Sequence, residues 1–516
     1  MRTTALPDAT PRLGWSRRTI ALVASSSALA LALAGCTAPT DDEGTTTLRV
    51  GIASLADTDS LDPASASTTG GYAFATQVFD TLTVYGTSGS WEPSLAESVE
   101  PGDTADVWTV TLRDAVWQDG DPVTADDLIS TVTRWFDQEL PPASALPFID
   151  PDGLEKIDDQ TVQFTLLYPT VTFPEALTSP TTSIVPSDFD PEDPIGSGPF
   201  ALETNDPGIQ MTFSANEDYW GTVPSYDELE LISFADASSE VTALLAGQVD
   251  VAANLDPTLV AQVEASEGHE VFDYPTSGAL TWAMNVDTEP LDDPVVRQAL
   301  RLAVDRQELI DQVYSGYAQL GNDIWSPFDP LYSSDLAQRE YDPDAAMAML
   351  EEAGYTLPVA IELWGAPNQP TSDRQNEVLV EQAAAAGFDI TFNQVDVATF
   401  YGDAYGTYPL SLSYWGYLGI FDQAAFTITA TAPYNSTHWT DAEYDALYNE
   451  AIQTVDDTAR KALVEQMQTI EYERGSYIVP LFMDALVAHS AEVSGFEAYP
   501  NTDGAIGYHF SILSIE

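Results

Sequence analysis

Basic residues and sulfur are scarce in this 516-residue chain. It has one cysteine, four histidines and 16 lysines and arginines against 82 aspartates and glutamates, which gives a formal net charge of -66. A single cysteine cannot form an intramolecular disulfide. A field this negative repels phosphates, so nucleic acids and anionic lipid surfaces are poor partners, and we expect no nucleic acid to bind. The acidity itself is typical of a solvated surface on a secreted or salt-tolerant protein.

Signatures of catalytic and metal sites are also missing. The histidines are far apart, and there is no G-x-S-x-G elbow and no phosphate-binding loop, because IGSGPF at 195–200 lacks the required lysine. DTDSLD at 57–62 lacks the glycine and the distal glutamate of an EF-hand. The sequence therefore predicts no cofactor and no metal site.

The N-terminus has the pattern of an export signal. Four arginines precede the apolar run TIALVASSSALALALAG, which is short for a membrane span and ends in small residues. LAGC at 33–36 resembles the bacterial lipobox, in which the cysteine is acylated and becomes the first mature residue. We expect residues 1–35 to be a signal peptide, Cys36 to carry the lipid and residues 36–46 to be a flexible tether. The pair of arginines in SRRTIAL also resembles a twin-arginine signal, so the export route stays open.

The length and the hydrophobic pattern predict an α/β protein with at least two lobes. Single cores stop growing near about 250 to 300 residues, and 44% of the residues are hydrophobic, enough for folded domains. From residue 47 onward, β-like runs alternate with amphipathic helical stretches. The runs at 106–113 and 161–167 alternate with period two, which predicts strands.

Helix starts are predicted from capping residues. They are Thr124 with Asp127, Asp293 with Pro294 at the head of a helical stretch over 291–316, Asp342 with Pro343, and Thr440 with Glu443.

Several short motifs follow one another in a specific order. They are SLDPA (60–64), EPSLAESVE, WTVTLRDAVWQDGDPVTADDLISTVTR, IGSGPF, NEDYWG (216–221), LLAGQVDV (244–251), DDPVVRQALRLAVDR (292–306) and NSTHWTDAEYDALYNEA (435–451). In this order they resemble the family 5 extracellular solute-binding proteins of ABC transporters. The resemblance runs from about residue 47 to the end of the chain.

The resemblance implies an α/β fold of the periplasmic-binding-protein type (type II), with two lobes that close on a solute between them. Lobe I would comprise 47–275 plus 485–516, with an inserted subdomain at about 82–194, and lobe II would comprise 276–484. The apolar runs 280–286 and 478–487 are the expected crossover strands.

The resemblance also implies where the solute lies. In peptide-binding relatives, a Trp-Gly strand of the second lobe and the loop after Leu-Asp-Pro run alongside the ligand. The matching residues here are Tyr414, Trp415, Gly416 and Tyr417, facing Ser67, Thr68 and Thr69. Trp325 is a further candidate. Each aromatic could instead pack in a core, because alternate strand residues point to opposite faces.

One position departs from the peptide-binding pattern. Peptide binders usually place an acid three residues after the tryptophan to pair the α-ammonium, and this chain has Leu418 there. Asp422 falls where the family commonly has an aspartate that begins a turn, so it either holds a cation or stabilises that turn.

The implied function is that of a solute-binding lipoprotein, not an enzyme, that delivers a small solute to ABC permease subunits and their ATPases. A monomer on the outer face of the bacterial cell membrane is expected, attached only by its lipid anchor. Peptide is the leading solute, and a glycoside, an amine-bearing solute or a metal chelate is the alternative. A secreted hydrolase and a receptor that presents solute to a sensor are the remaining hypotheses.

Overall fold

The computed structural model describes residues 45–516 except 54, 57, 58, 368 and 503. The predicted signal peptide, Cys36, Asp57 and most of the predicted tether therefore lie outside the described residues. Residues 45–516 form one compact unit. In this part of the chain no helix has both the length and the apolar character needed to cross a membrane.

The strands are numbered in chain order. They are β1 Thr47–Ala53, β2 Thr83–Tyr85, β3 Trp91–Pro93, β4 Ala96–Pro101, β5 Val107–Leu112, β6 Ile149–Lys156, β7 Thr161–Leu166, β8 Phe200–Asp206, β9 Gln210–Ala215, β10 Glu228–Phe234, β11 Val251–Ala252, β12 His269–Pro275, β13 Ala279–Met284, β14 Ala318–Leu320, β15 Val359–Gly365, β16 Phe388–Gln394, β17 Leu410–Trp415, β18 Tyr477–Ile478, β19 Leu481–Ser490, β20 Val493–Ser494 and β21 Ser514–Ile515.

Three larger sheets organise these strands. The sheet of lobe I has the order β12-β19-β11-β1-β10-β9-β8, with β14 added on β19. The sheet of lobe II has the order β16-β15-β17-β13-β18, and the insert has β4-β5-β7-β6. The sheets of the two lobes are mixed: the sheet of lobe I contains the parallel pair β1 with β10, and the sheet of lobe II contains the parallel pair β15 with β16. Most strands of each sheet come from the range assigned above to the same lobe or to the insert. The exceptions are β14 and the first residues of β19, which lie in the range of lobe II but belong to the sheet of lobe I. The boundaries of the lobes stay a prediction.

The helices are likewise numbered in chain order. They are α1 Thr69–Val78, α2 Ala125–Asp137, α3 Pro141–Ala145, α4 Phe173–Ala176, α5 Ala237–Leu245, α6 Val260–Glu264, α7 Pro294–Leu302, α8 Arg306–Val313, α9 Pro343–Glu352, α10 Ser372–Ala385, α11 Val397–Phe400, α12 Ile420–Thr427, α13 Ala442–Ala451 and α14 Asp457–Arg474.

Three of the four predicted helix starts are confirmed. The capping box of Thr124 and Asp127 is present at α2, and Asp293 and Asp342 cap α7 and α9. The fourth prediction is wrong by one residue, because Asp441 rather than Thr440 caps α13 and accepts from two backbone amides. The helical stretch over 291–316 contains two helices, since Asp305 caps a second start at α8.

The lobes are joined by short segments rather than by the long crossover strands that were predicted. The first crossing is 276–278, between β12 of lobe I and β13 of lobe II. The run 478–487 is divided, because β18 ends at Ile478 in one sheet and β19 begins at Leu481 in the other. The two crossings are bonded to each other: Met483 N donates to Gly278 O over 2.8 Å and Thr276 Oγ1 donates to Met483 O over 2.6 Å.

A buried ionic cluster holds the second crossing. Asp323 is 1% exposed, and Arg306 and Arg339 donate to its carboxylate over 2.8 and 2.7 Å. Asp323 Oδ1 also accepts from Val479 N over 3.1 Å, and Arg301 donates to Tyr477 O over 2.6 Å. The arginines hold the pKa of Asp323 below its ordinary value against the opposing effect of burial. This cluster therefore holds the backbone of the second crossing at Tyr477 and Val479.

Candidate functional site

A cavity of about 630 Å³ lies where lobe I, the insert and lobe II meet. Lobe I supplies Tyr72 from α1 and Tyr508 from the C-terminal segment, and the insert supplies Glu175. Lobe II supplies Leu418 and its neighbours from the segment between β17 and α12. Because the walls come from both lobes, opening the lobes would open the cavity.

The first predicted contact segment lies at the start of α1. Thr68 caps this helix by accepting from Gly71 N over 3.0 Å, and its own hydroxyl donates to Asp59 over 2.5 Å. Neither Ser67 nor Thr68 nor Thr69 lines the cavity, and the helix reaches it one turn later, at Tyr72. Thr68 thus has a structural role in this conformation.

The aromatic segment of lobe II, residues 414–417, places some of its side chains in the core and one in the cavity. Tyr414 packs against the main core of lobe II, and Trp415 packs against the second core, with its indole Nε1 buried and without a hydrogen-bond partner in the described residues. Gly416 follows the end of β17, and neither it nor the two aromatics lines the cavity. Tyr417 does, and a methyl group at Gly278 would come within 2.7 Å of its ring. Glycine at the first crossing therefore makes room for this tyrosine.

Trp325 is placed in a packed core. It is 4% exposed, and its ring meets Tyr477 edge-on with the centroids 5.3 Å apart. Its carbonyl accepts from Gln468 Nε2 over 3.3 Å. Trp325 does not line the cavity between the lobes.

Leu418 and Asp422 both reach the cavity. The apolar side chain at 418 confirms that no carboxylate enters from this position, and its carbonyl accepts from Ser326 Oγ over 2.6 Å. Asp422 lies in the first turn of α12. Within the described residues no donor contacts its carboxylate, and burial, with the nearby charge of Asp329, raises its pKa to about 6.

A second carboxylate, Glu175 of the insert, comes to the same place from the opposite side. It accepts from the hydroxyl of Tyr85 over 2.7 Å. Burial raises the pKa of Glu175 to about 8, and the charges of Asp422 and Asp329 add to the effect. The cavity therefore has a pair of carboxyl groups, one from each side of the interface between the insert and lobe II.

A third acid of the wall, Asp80, is part of the framework. It is 7% exposed and accepts from Ser197 Oγ, Tyr219 OH and Trp220 Nε1 over 2.8, 3.0 and 2.9 Å. The motifs IGSGPF and NEDYWG thus converge on one buried carboxylate. A methyl group at Gly196 would lie 1.8 Å from Val78 O, so the first motif needs glycine for close packing. Burial raises the pKa of Asp80 to about 6.

Comparison with known proteins gives the family. The protein-family model described as bacterial extracellular solute-binding proteins, family 5 Middle, matches residues 90–438. The chain belongs to this family. Its members bind solutes for ABC importers and are not enzymes.

Individual relatives of this solute-binding protein agree over most of its length. It is similar to the dipeptide-binding protein of Escherichia coli K12, with 27% identity over 82% of this chain and 86% of the relative. It is also similar to the glutathione-binding protein GsiB of Shigella dysenteriae serotype 1, with 25% identity over 86% and 90% of the two chains. The solved structure of HbpA2 from Haemophilus parasuis superposes with a TM-score of 0.78, at 25% identity over 91% of this chain and 100% of the other.

Sequence reasoning missed part of this solute-binding protein's cavity. Glu175 and Tyr85 are 90 residues apart in the chain and meet only through the fold. His509, also in the wall, packs against Tyr499 with the rings tilted by 41° and their centroids 4.7 Å apart, and burial lowers its pKa to about 4. No local pattern around these residues indicates a site, because neither the run TLTVYGTSGS around Tyr85 nor the run TFPEALT around Glu175 matches a binding motif.

Proposed function

We propose that this protein captures a peptide-sized, amine-bearing solute in the cavity between its lobes and delivers it to the permease of an ABC importer. The observation that carries the proposal is that Asp422 and Glu175 lie close to each other in the wall of a cavity formed by both lobes. A cavity of about 630 Å³ is within the usual range for small-molecule sites.

Lobe closure suits a transport receptor. A solute that bridges Glu175 and Asp422 would favour the closed arrangement, in which both acids face it, over an open one. Closure also changes the outer surface, which is how a permease could distinguish the loaded protein from the empty one. No bond of the solute needs to be broken.

In this proposal Tyr417 and Asp422 contact the solute from lobe II. Contact by Trp415 stays a prediction, supported by its unpartnered indole N–H, which a solute acceptor could satisfy after a small movement. The proposal also keeps Cys36 as the lipid-bearing residue on the outer face of the cell membrane.

A peptide with both termini free is a second candidate. It is favoured by the names of the similar proteins, one dipeptide-binding and one glutathione-binding. The absence of an acid at Leu418 does not favour it.

Native mass spectrometry of the mature domain without its lipid, purified gently from its own host, tests the proposal. At about 100 times its dissociation constant a solute adds roughly 2.7 kcal/mol of stability, so a tight solute survives purification. A retained small molecule that dissociates unchanged supports a transport receptor. A retained molecule that is converted during incubation would instead revive the hydrolase hypothesis.

A further inference from the structure

The cavity wall is strongly asymmetric in charge. Its described residues include five acids and neither lysine nor arginine. They are Asp80, Glu92, Glu175, Asp422 and Glu497. A solute entering this cavity meets carboxylates and no fixed cation.

Two arginines that act electrostatically on acids of the wall already have other partners. Arg113 stacks on Trp220, 3.8 Å from the ring centroid, and donates to the carbonyls of Ser94 and Ala96. Arg460 donates to the carbonyl of Thr454 and pairs with Asp457. Neither guanidinium lines the cavity, so neither is placed to bind a solute carboxylate.

Two other groups near the wall could attract a solute carboxylate, the N-terminus of α12 and His509, but neither is free to do so. The N-terminus of α12 already has a carboxylate, since Ile420 N donates to Asp329 Oδ2 over 3.1 Å. His509 is neutral near pH 7, because burial lowers its pKa to about 4.

A buried acceptor in the wall gives independent evidence about the solute. Gln77 is 1% exposed and lines the cavity. Its Nε2 donates to Ala73 O over 3.0 Å and to Tyr508 O over 2.8 Å, which fixes the orientation of the amide. Its Oε1 has no donor among the described residues. A buried acceptor without a donor is costly, so this position favours a ligand that donates hydrogen bonds.

We propose that the cavity takes a solute with an ammonium group and no free carboxylate. Glu175 and Asp422 hold the cation from the two sides of the interface, and Gln77 Oε1 accepts from a second donor of the solute. A free carboxylate would be buried among acids without a counter-ion, which is strongly unfavourable. Amides and esters of peptides, amino sugars and polyamines fit this description. A dipeptide with a free C-terminus does not.

The inference rests on the proposed function and can fail separately from it. The solute released from the host-purified domain is divided into two samples, one labelled by reductive dimethylation and the other esterified in acidic methanol. We expect a mass increase from the amine label and none from esterification. A solute that forms a methyl ester would overturn the inference and leave the proposed function intact.

If no solute is retained, matched probes take its place. They are L-alanyl-L-phenylalaninamide, the same dipeptide with a free C-terminus, and the N-acetylated amide, each added in a thermal-shift titration. The first should bind at least tenfold more tightly than either of the other two. Equal binding of the free dipeptide would overturn the inference. Failure of every probe, with no retained solute, would contradict the proposed function, and the inference would fall with it.

Variants locate the binding groups. Glu175→Gln and Asp422→Asn should each weaken binding of the retained solute or of the dipeptide amide at least tenfold. The matched control is Glu352→Gln, at an exposed position at the end of α9. Cooperative unfolding of each variant in urea shows that it is folded. Unchanged affinity in a folded double variant of Glu175 and Asp422 would contradict their role.

Discussion

Gly419 of lobe II lies directly against Glu175 of the insert, because a methyl group at position 419 would be 2.0 Å from Glu175 Oε1. The backbone at Gly419 has φ -62° and ψ 164°, which alanine adopts without strain. Glycine at position 419 is therefore needed for the contact between lobe II and the insert and not for the local backbone conformation.

Gly419→Ala should hinder closure. The new methyl group would displace the Glu175 carboxylate and break its hydrogen bond from Tyr85. We expect a larger radius of gyration in small-angle X-ray scattering and about tenfold weaker solute binding, or about 1.4 kcal/mol. In a Glu175→Ala background the same substitution should have little effect. An equal effect in both backgrounds would contradict the contact.

Solute binding should depend on pH through Glu175 and Asp422. Their pKa values of about 8 and about 6 lie above the ordinary 4.5 and 3.8. The folded protein therefore binds more protons than the unfolded chain between about pH 4 and 8, so ligand-free stability should fall as pH rises through this window.

A cationic solute favours the ionised acids. Its affinity should therefore rise between pH 6 and 8, by up to about tenfold per pH unit for each proton released. Tyr85, Asp329, Arg460 and Tyr448 also act electrostatically on this pair, and none of them is changed in this experiment. Calorimetry in two buffers of different ionisation enthalpy measures the released protons, and Glu175→Gln should reduce their number. A pH-independent affinity would contradict the assignment.

Tyr417 and Trp415 make a matched comparison within the aromatic segment. Tyr417 lines the cavity, so Tyr417→Ala should weaken solute binding roughly tenfold or more. If Trp415 also contacts the solute, Trp415→Ala should abolish the solute-induced rise in Tm while the ligand-free protein still unfolds cooperatively. Equal binding by Trp415→Ala and the parent would remove that residue from the site.

The buried cluster around Asp323 should dominate the stability of lobe II. Asp323→Ala leaves Arg306 and Arg339 buried without their counter-ion, which should cost about 3 to 5 kcal/mol in urea unfolding. Glu377→Gln is the control, because its pair with Arg374 is exposed and worth about 1 kcal/mol or less.

The sign of the pH effect at Asp323 is the usual one for a paired acid. Its pKa is lower in the folded protein than the ordinary 3.8, so its stabilisation is present above pH 3.8 and lost as pH falls through the folded value. A loss of less than about 1 kcal/mol in Asp323→Ala would show that the cluster does not hold the second crossing.

Local features were the most predictable from the sequence. A helix cap is a contact over a few residues, and three of four capping predictions were correct. At α13 two adjacent polar residues competed, and Asp441 prevailed because its carboxylate reaches two amides and Arg474 as well. The strands at β5 and β7 were predicted because one face of each is buried, which imposes period two.

The cavity was less predictable, because its walls meet over long separations in the chain. The family resemblance indicated the segment 414–417, but which of its side chains reach the cavity depends on the end of β17 and the turn into α12. Glu175 lies in a part of the insert with no sign of binding chemistry in its sequence. Its role arises only when Gly419 is brought against it.

The most direct test is a crystal structure of the protein with the solute retained from its host. We expect the solute to lie in the cavity, with its cationic group between Glu175 and Asp422 and with Tyr417 against it. A solute bound elsewhere, or one in the cavity that presents a carboxylate to these acids, would contradict this account.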